Sequence, residues 1–450
     1  MVAEAAPSWD KQYLATAQDG ESERLLRLQA DIHEKLVTDT DLQELQKMTR
    51  SELLERIGNV ANQVITASRQ TLTARMRQQV LSEVFNEVRG FGPLQTLLDD
   101  EDVTEVMVNG PKVVFVERKG KLDEANKHFL NDAHVMRIID KVIAPLGRRL
   151  DESMPMVDAR LPDGSRVNAI IPPVAVTGPC ITIRKFSKEP FTCEDLVRFG
   201  TMTEAMKEFL RACVEARLNI IVSGGTGSGK TTTLNVLSSM IPSGERIVTI
   251  EDAAELRLQQ RHVITLEARP PNLEGRGAIT IRDLVRNALR MRPDRIAVGE
   301  CRGGEALDML QAMNTGHDGS LTTAHANTPR DMLARLETMT LMAGTELPSR
   351  AIREQIASAI HLIVQQARLR DGTRRLTHIT EVQGMEGDQI VLQDLYRFKQ
   401  EGVDGTGRVI GQHEATGLRP LFAEHLIAEG VRLPSELFQA WTGGGARCRA

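Results

Sequence analysis

From Glu21 to Arg89 the chain is polar and almost free of Gly and Pro. Its apolar residues, Leu25, Leu26, Leu28, Ile32 and Leu36, then Leu53, Leu54, Ile57, Val60 and Val64, recur near the period of an amphipathic helix. The spacing predicts several helices, broken near Thr38 to Asp41, as an N-terminal extension over residues 1–89. Their apolar faces can pack on one another or meet a neighbouring subunit.

Over residues 90–186 the pattern changes to short β-rich runs, Val106 to Val108 and Val113 to Glu117, separated by the turn signals Asn109-Gly110-Pro111 and Lys119-Gly120-Lys121. A helical stretch at His134 to Leu146 comes next, then Arg160 to Ile171 turning at Pro162-Asp163-Gly164, and a strand at Ile181 to Arg184. This predicts a mixed α+β domain. Residues 187–200, with Pro190 and Gly200, read as a linker.

Over residues 201–400 strand-like runs alternate with helical stretches: Ile220 to Val222, Ile247 to Ile250, Ile296 to Val298, Ser320 to Thr323 and Leu362 to Val364. Alternation of this kind predicts an α/β domain with a parallel sheet covered by helices. Arg375 to Val382 and Gln389 to Tyr396 flank Gly384 to Asp388 and predict a hairpin. Beyond Phe398 the Gly-rich chain reads as a C-terminal extension over 401–450 that ends loosely at Gly443-Gly444-Gly445.

With 450 residues, 41% apolar and 26% charged, the chain has the balance of a soluble globular protein of two to four domains. A formal charge of -5 and an aromatic content of 3% argue against a stable nucleic-acid partner. Met1 to Trp9 lacks the basic and apolar regions of a secretory signal, and no apolar run reaches the roughly 18 residues of a membrane span. The five cysteines, Cys180, Cys193, Cys213, Cys301 and Cys448, form no Cys-x-x-Cys pair, which excludes a disulfide framework and a four-cysteine zinc site. A reducing cytoplasm is the expected compartment, with membrane contact through partners.

The strongest chemical signal is Gly224-Gly225-Thr226-Gly227-Ser228-Gly229-Lys230-Thr231, a G-x-x-x-x-G-K-[ST] loop between an apolar strand and a helical stretch that Thr232 continues. Glycines let successive backbone N–H groups turn toward phosphate oxygens, and the helix N-terminus adds its positive end. Lys230 supplies a cation to the β- and γ-phosphates, and the Thr231 hydroxyl can ligate magnesium. A nucleotide with Mg2+ is therefore expected, and the motif alone does not say which nucleotide.

Arg295-Ile296-Ala297-Val298-Gly299-Glu300 is an apolar strand ending in a carboxylate, the Walker B form, and places Glu300 at the edge where such sheets bind ligands. Glu300 is a candidate for holding magnesium or activating water. At the end of another strand, Glu251, Asp252 and Glu255 compete for the role of base or water-positioner, and spacing does not choose between them. His317 and His325 bracket a short β-prone run, and either could orient water or sense the γ-phosphate. No guanine-reading Asn-Lys-x-Asp and no transporter-type Leu-Ser-Gly-Gly-Gln segment occurs.

In this order the four pieces resemble the type II and type IV secretion ATPase superfamily, with its Walker A, Asp box, Walker B and His box. Gly92-Pro93-Leu94, Met107-Val108-Asn109-Gly110-Pro111, Arg160-Leu161-Pro162-Asp163-Gly164-Ser165-Arg166 and Leu289-Arg290-Met291-Arg292-Pro293-Asp294 are similar to the CpaF-type ATPase of tight-adherence (Tad) pilus assembly, from about Phe91 to Phe438. Ala253 stands where retraction ATPases carry proline, and the absent cysteine quartet also favours this branch. The resemblance implies a RecA-like P-loop NTPase domain, a homohexameric ring, and an inner-membrane platform as partner. It implies Glu255 as the catalytic carboxylate, Glu300 as the Walker B acid, and His317 and His325 as the His box. Among Arg160, Arg166 and Arg184 it implies at least one arginine that reaches toward the γ-phosphate, and it gives Arg302 a motif position without a role. Extension, retraction and secretion share this catalytic set. The alternative is an ATP-binding ring scaffold with little intrinsic hydrolysis.

Overall fold

The computed structural model describes residues 9–69, 71–118, 120–186, 190–272 and 275–439. The expectations for the leader before Trp9, for the first part of the linker and for the tail at Gly443 lie outside these residues. The chain divides into two compact units, Met1–Ser187 and Lys188–Ala450.

In the first unit, helices Trp9–Asp39, Leu42–Lys47, Arg50–Ala67 and Ala74–Arg89 succeed one another, with the first break where the sequence places it. Thr49 and Glu52 form a reciprocal capping box at the third helix, and Thr73 caps the fourth, which satisfies N–H groups that the helices leave open. Leu28, Ile32, Leu36, Leu53, Ile57 and Val60 are buried together with Val80, Val84 and Val88. Leu54 departs from the expected apolar face. It is 37% exposed, because one residue's step around the helix turns it away from Leu53.

The fourth helix is tied to the helix Asp132–Ile143. Glu87, in the fourth helix, meets His134 Nε2 at 2.6 Å, and Lys141 Nζ donates to the carbonyls of Glu87 and Val88 at 2.8 and 2.9 Å. The residue-89 boundary thus falls within one unit. Six strands form its antiparallel sheet: β1 (Val103–Asn109), β2 (Val114–Arg118), β3 (Lys121–Glu124), β4 (Met156–Arg160), β5 (Arg166–Ile170) and β6 (Cys180–Arg184), in the order β3-β2-β1-β6-β5-β4. Helix Asp132–Ile143 buries Val135, Ile138, Ile139 and Val142 in the core with the inward residues of the sheet. The β4–β5 hairpin turns where Asp163 accepts the Ser165 N–H at 2.9 Å and Gly164 takes φ +93°.

The second unit holds a nine-stranded sheet: β7 (Ile220–Gly224), β8 (Ile247–Glu251), β9 (Val263–Glu267), β10 (Arg295–Val298), β11 (Leu321–Ala324), β12 (Leu362–Arg368), β13 (Arg374–Glu386), β14 (Gln389–Val403) and β15 (Val409–Ala415). The order is β15-β14-β13-β12-β7-β11-β10-β8-β9, parallel from β12 to β9 and antiparallel from β12 to β15. Every residue of β7, β8, β10 and β11 is buried, as continuous apolar strands between helical layers should be. One strand, β11, separates β7 from β10, the RecA-like arrangement.

The predicted hairpin is β13–β14, but β14 runs on through residue 400, and β15 extends the sheet beyond it. Tyr396 and Phe438 both sit in the core, with the Tyr396 hydroxyl donating to the Leu437 carbonyl at 2.6 Å. Leu426, Leu437 and Phe438 therefore pack into the core of this unit. Among the described residues no helix is long and apolar enough to cross a membrane.

Candidate nucleotide site

The loop between β7 and helix Lys230–Ser239 begins at Gly224, which pairs in register with Gln366 of β12. A Cβ on Gly224 would lie 2.3 Å from the Gln366 carbonyl, so only glycine lets the strands approach here. The Ser228 hydroxyl donates to the Gly225 carbonyl at 2.8 Å, and Lys230 Nζ donates to the same oxygen at 3.0 Å. Lys230 is 8% exposed, an ammonium folded into its own loop. Thr226 and Gly227 lie between these contacts, and Thr231 and Thr232, both half-buried, open the helix.

At the carboxyl edges of β10 and β11 the loop meets two further groups. Both ring nitrogens of His325 lie 3.4 Å from Lys230 Nζ, and His325 Nε2 lies 2.8 Å from Glu300 Oε1. Burial and the neighbouring Lys230 hold the His325 imidazole below its ordinary pKa. Arg302 binds Glu300 Oε2 through Nε at 2.8 Å and Nη2 at 2.5 Å, and its Nη1 stands 3.3 Å from Asp252. Lys230, His325, Glu300, Arg302 and Asp252 thus form one chain of contacts across the ends of β7, β11, β10 and β8.

The acidic segment after β8 separates into distinct environments. Glu251 is 3% exposed and accepts the backbone N–H of Glu255 at 3.0 Å and of Leu256 at 3.2 Å. Burial pushes its carboxyl up to about 7, against the pull of those two N–H groups. Asp252 is exposed and Glu255 half-buried. The Glu251 carboxyl thus braces the turn that carries Glu255.

His317 and His325 separate. His317 lies before β11, and His325 comes directly after it at the edge shared with the phosphate loop. A four-residue strand carries the chain about 13 Å between them, so only His325 joins the site.

Three residues beside the loop had no motif to announce them. Arg374 Nε donates to the Gly227 carbonyl at 3.1 Å, Gln366 accepts from the Thr233 hydroxyl at 2.6 Å, and Arg368 approaches Gly227. They come from β12 and β13, and only the lateral order of the sheet brings them to β7.

Arg160, Arg166 and Arg184 belong to the first unit, where they form a row. Arg160 pairs with Arg166 across β4–β5, Arg166 with Arg184 across β5–β6, and Arg184 with Glu105 across β6–β1.

The site fits a nucleotide with its cation. Glycines at φ +70° (Gly227) and +96° (Gly229) give the loop the backbone of a phosphate nest leading into a helix N-terminus. Despite its closeness to His325, the buried Glu300 Oε1 has no hydrogen-bond partner among the described residues, because the approach is poorly angled. An oxygen of that kind beside a phosphate loop matches the hard donor that magnesium takes.

A family model described as "Type II/IV secretion system protein" matches residues 87–405. The putative conjugal transfer protein Rv3659c of Mycobacterium tuberculosis is 39% identical over 307 residues, 67% of this chain and 87% of its own length. The type IV secretion system protein VirB11 of Brucella suis biovar 1 is 34% identical over 318 residues, 64% of this chain and 88% of its own. Among solved structures, the VirB11 ATPase of the Brucella suis type IV secretion system in complex with sulphate aligns with 64% of this chain and 94% of its own, at 30% identity and a TM-score of 0.35. The chain belongs to the family of type II/IV secretion system proteins, and it is a P-loop ATPase of the secretion superfamily.

Proposed function

We propose that the chain is the ATP-hydrolysing motor subunit of a homohexamer that drives Tad or type IV-like pilus assembly, or a related secretion step, from the cytoplasmic face of the inner membrane. The observation that carries this reading is the convergence of Lys230, His325 and Glu300 at one edge of the sheet. Relatives named for conjugal transfer and type IV secretion support a role within a larger machine.

In this reading the amides of Gly224 to Thr232 and the Lys230 ammonium hold the phosphate tail. Thr231 and Glu300 hold magnesium, which when bound neutralises charge on the phosphate oxygens. Glu255 takes the proton of, or orients, the attacking water, and Glu251 fixes the turn on which Glu255 sits. His325 lies between Lys230 and Glu300, where it can register phosphate, and Arg302 steadies Glu300. At least one of Arg160, Arg166 and Arg184 supplies a cation that stabilises transferring phosphate in the assembled ring.

Magnesium-dependent ATP hydrolysis by the purified chain, recorded against protein concentration with light scattering in parallel, tests the proposal. Turnover that rises with a sixfold species supports a ring motor. Nucleotide binding without turnover in an assembled ring would replace it with the scaffold reading.

A further inference from the structure

A phosphate nest turns its amides inward, and its carbonyls must then point outward to other donors. Two such carbonyls have defined partners here. Gly225 is served from within the loop, by Ser228 and Lys230, whereas Gly227 is served from outside it, by Arg374 Nε at 3.1 Å. The same face is closely packed: a Cβ on Gly229 would lie 3.1 Å from Gln366 Nε2 and 3.2 Å from Arg374 Cδ.

Arg374 stands on a braced turn. Leu369 N–H donates to the Thr373 carbonyl at 2.7 Å, and one Asp371 oxygen accepts the Thr373 N–H and hydroxyl at 2.9 and 2.6 Å. The other Asp371 oxygen accepts the Val409 N–H of β15 at 2.9 Å. The guanidinium is therefore delivered to the loop from a hairpin that is itself pinned to the antiparallel flank of the sheet.

We propose that Arg374 is a positioning residue of the nucleotide site, which holds the Gly227 carbonyl outward and so keeps the loop in its phosphate-binding form before nucleotide arrives. The inference rests on the loop's being the nucleotide site, and it adds a cation from the same subunit that no phosphate-loop motif contains. Directionality matters more than charge: a lysine would place an ammonium nearby without the in-plane Nε donor.

The test uses the full chain with ADP, without magnesium, as the probe. Arg374→Met keeps the aliphatic stem beside Gly229 and removes the donor. It should weaken ADP binding about tenfold, as expected for one charge-assisted hydrogen bond. It should also speed amide exchange of residues 225–229 in the nucleotide-free protein, and Arg374→Lys should restore neither. ADP affinity and loop exchange equal to wild type in Arg374→Met, or full rescue by lysine, would overturn the inference, and so would a lowered melting temperature with binding unchanged. Lys230→Ala separates the underlying reading: ADP affinity unaltered in that variant would remove the phosphate-loop assignment itself.

Discussion

The Glu251 carboxylate accepts the backbone N–H of Glu255 at 3.0 Å, so two of the three acids that compete in sequence are joined as brace and load. A base must reach water, and Glu251, 3% exposed, is sealed behind the turn it holds. Glu255→Gln should therefore keep ATP binding and lower kcat at least about a hundredfold. Glu251→Gln retains an acceptor for the turn and should lower kcat much less. Steady-state turnover of both variants decides the matter, and a larger loss at Glu251 would reverse the roles.

Glu251 also predicts a pH dependence of stability. Its carboxyl is raised from an ordinary 4.5 to about 7 by burial. A raised acid favours the folded state while protonated, so its contribution is full below about 4.5 and is lost as pH rises through about 7. That loss is on the order of 3 kcal/mol. Melting temperatures of wild type and Glu251→Gln measured from pH 5 to 8 should diverge, the wild type losing ground toward pH 8. Parallel curves would place the titration elsewhere.

The parts of this site that sequence shows are those carried by local pattern. β7, β8, β10, β11 and β12 announce themselves as apolar runs because both faces of each are covered. The loop at Gly224 to Thr231 is legible because phosphate imposes glycines at fixed spacing. The hidden parts depend on lateral order. Gln366 and Arg374 reach the loop because β12 pairs with β7 over a separation of some 140 residues, which no motif records. The edge strands β3 and β9 are exposed or half-buried, so strict alternation never developed in them. His317 and His325 looked equivalent only while the direction of β11 was ignored.

Glu300 is held on one side by Arg302 at 2.5 Å and approached on the other by His325 at 2.8 Å. Glu300→Gln keeps the shape and removes the charge. It should leave nucleotide binding within a few-fold of wild type, lower turnover about a hundredfold or more, and raise the magnesium concentration needed for half-maximal rate. Turnover measured across a magnesium titration checks this. An unchanged magnesium requirement would show that Glu300 acts only through Arg302 and His325.

Arg160, Arg166 and Arg184 pair across three adjacent strands, and like charges directly opposite one another are destabilising. Glu105 closes the row at 3.7 Å from Arg184, and a row that is held mainly for stability would gain from alternation of sign. Arg166→Ala should keep the fold, melting within about 1 kcal/mol of wild type, the scale of one cross-strand pair. If the row meets phosphate in the assembled ring, the same substitution lowers ATP turnover tenfold or more while ADP affinity of the unassembled chain stays constant. Melting, turnover and ADP binding measured on the three single alanine variants distinguish the cases. Turnover at the wild-type level in all three would remove the row from catalysis, and a loss confined to one variant would identify the arginine that reaches the transferring group.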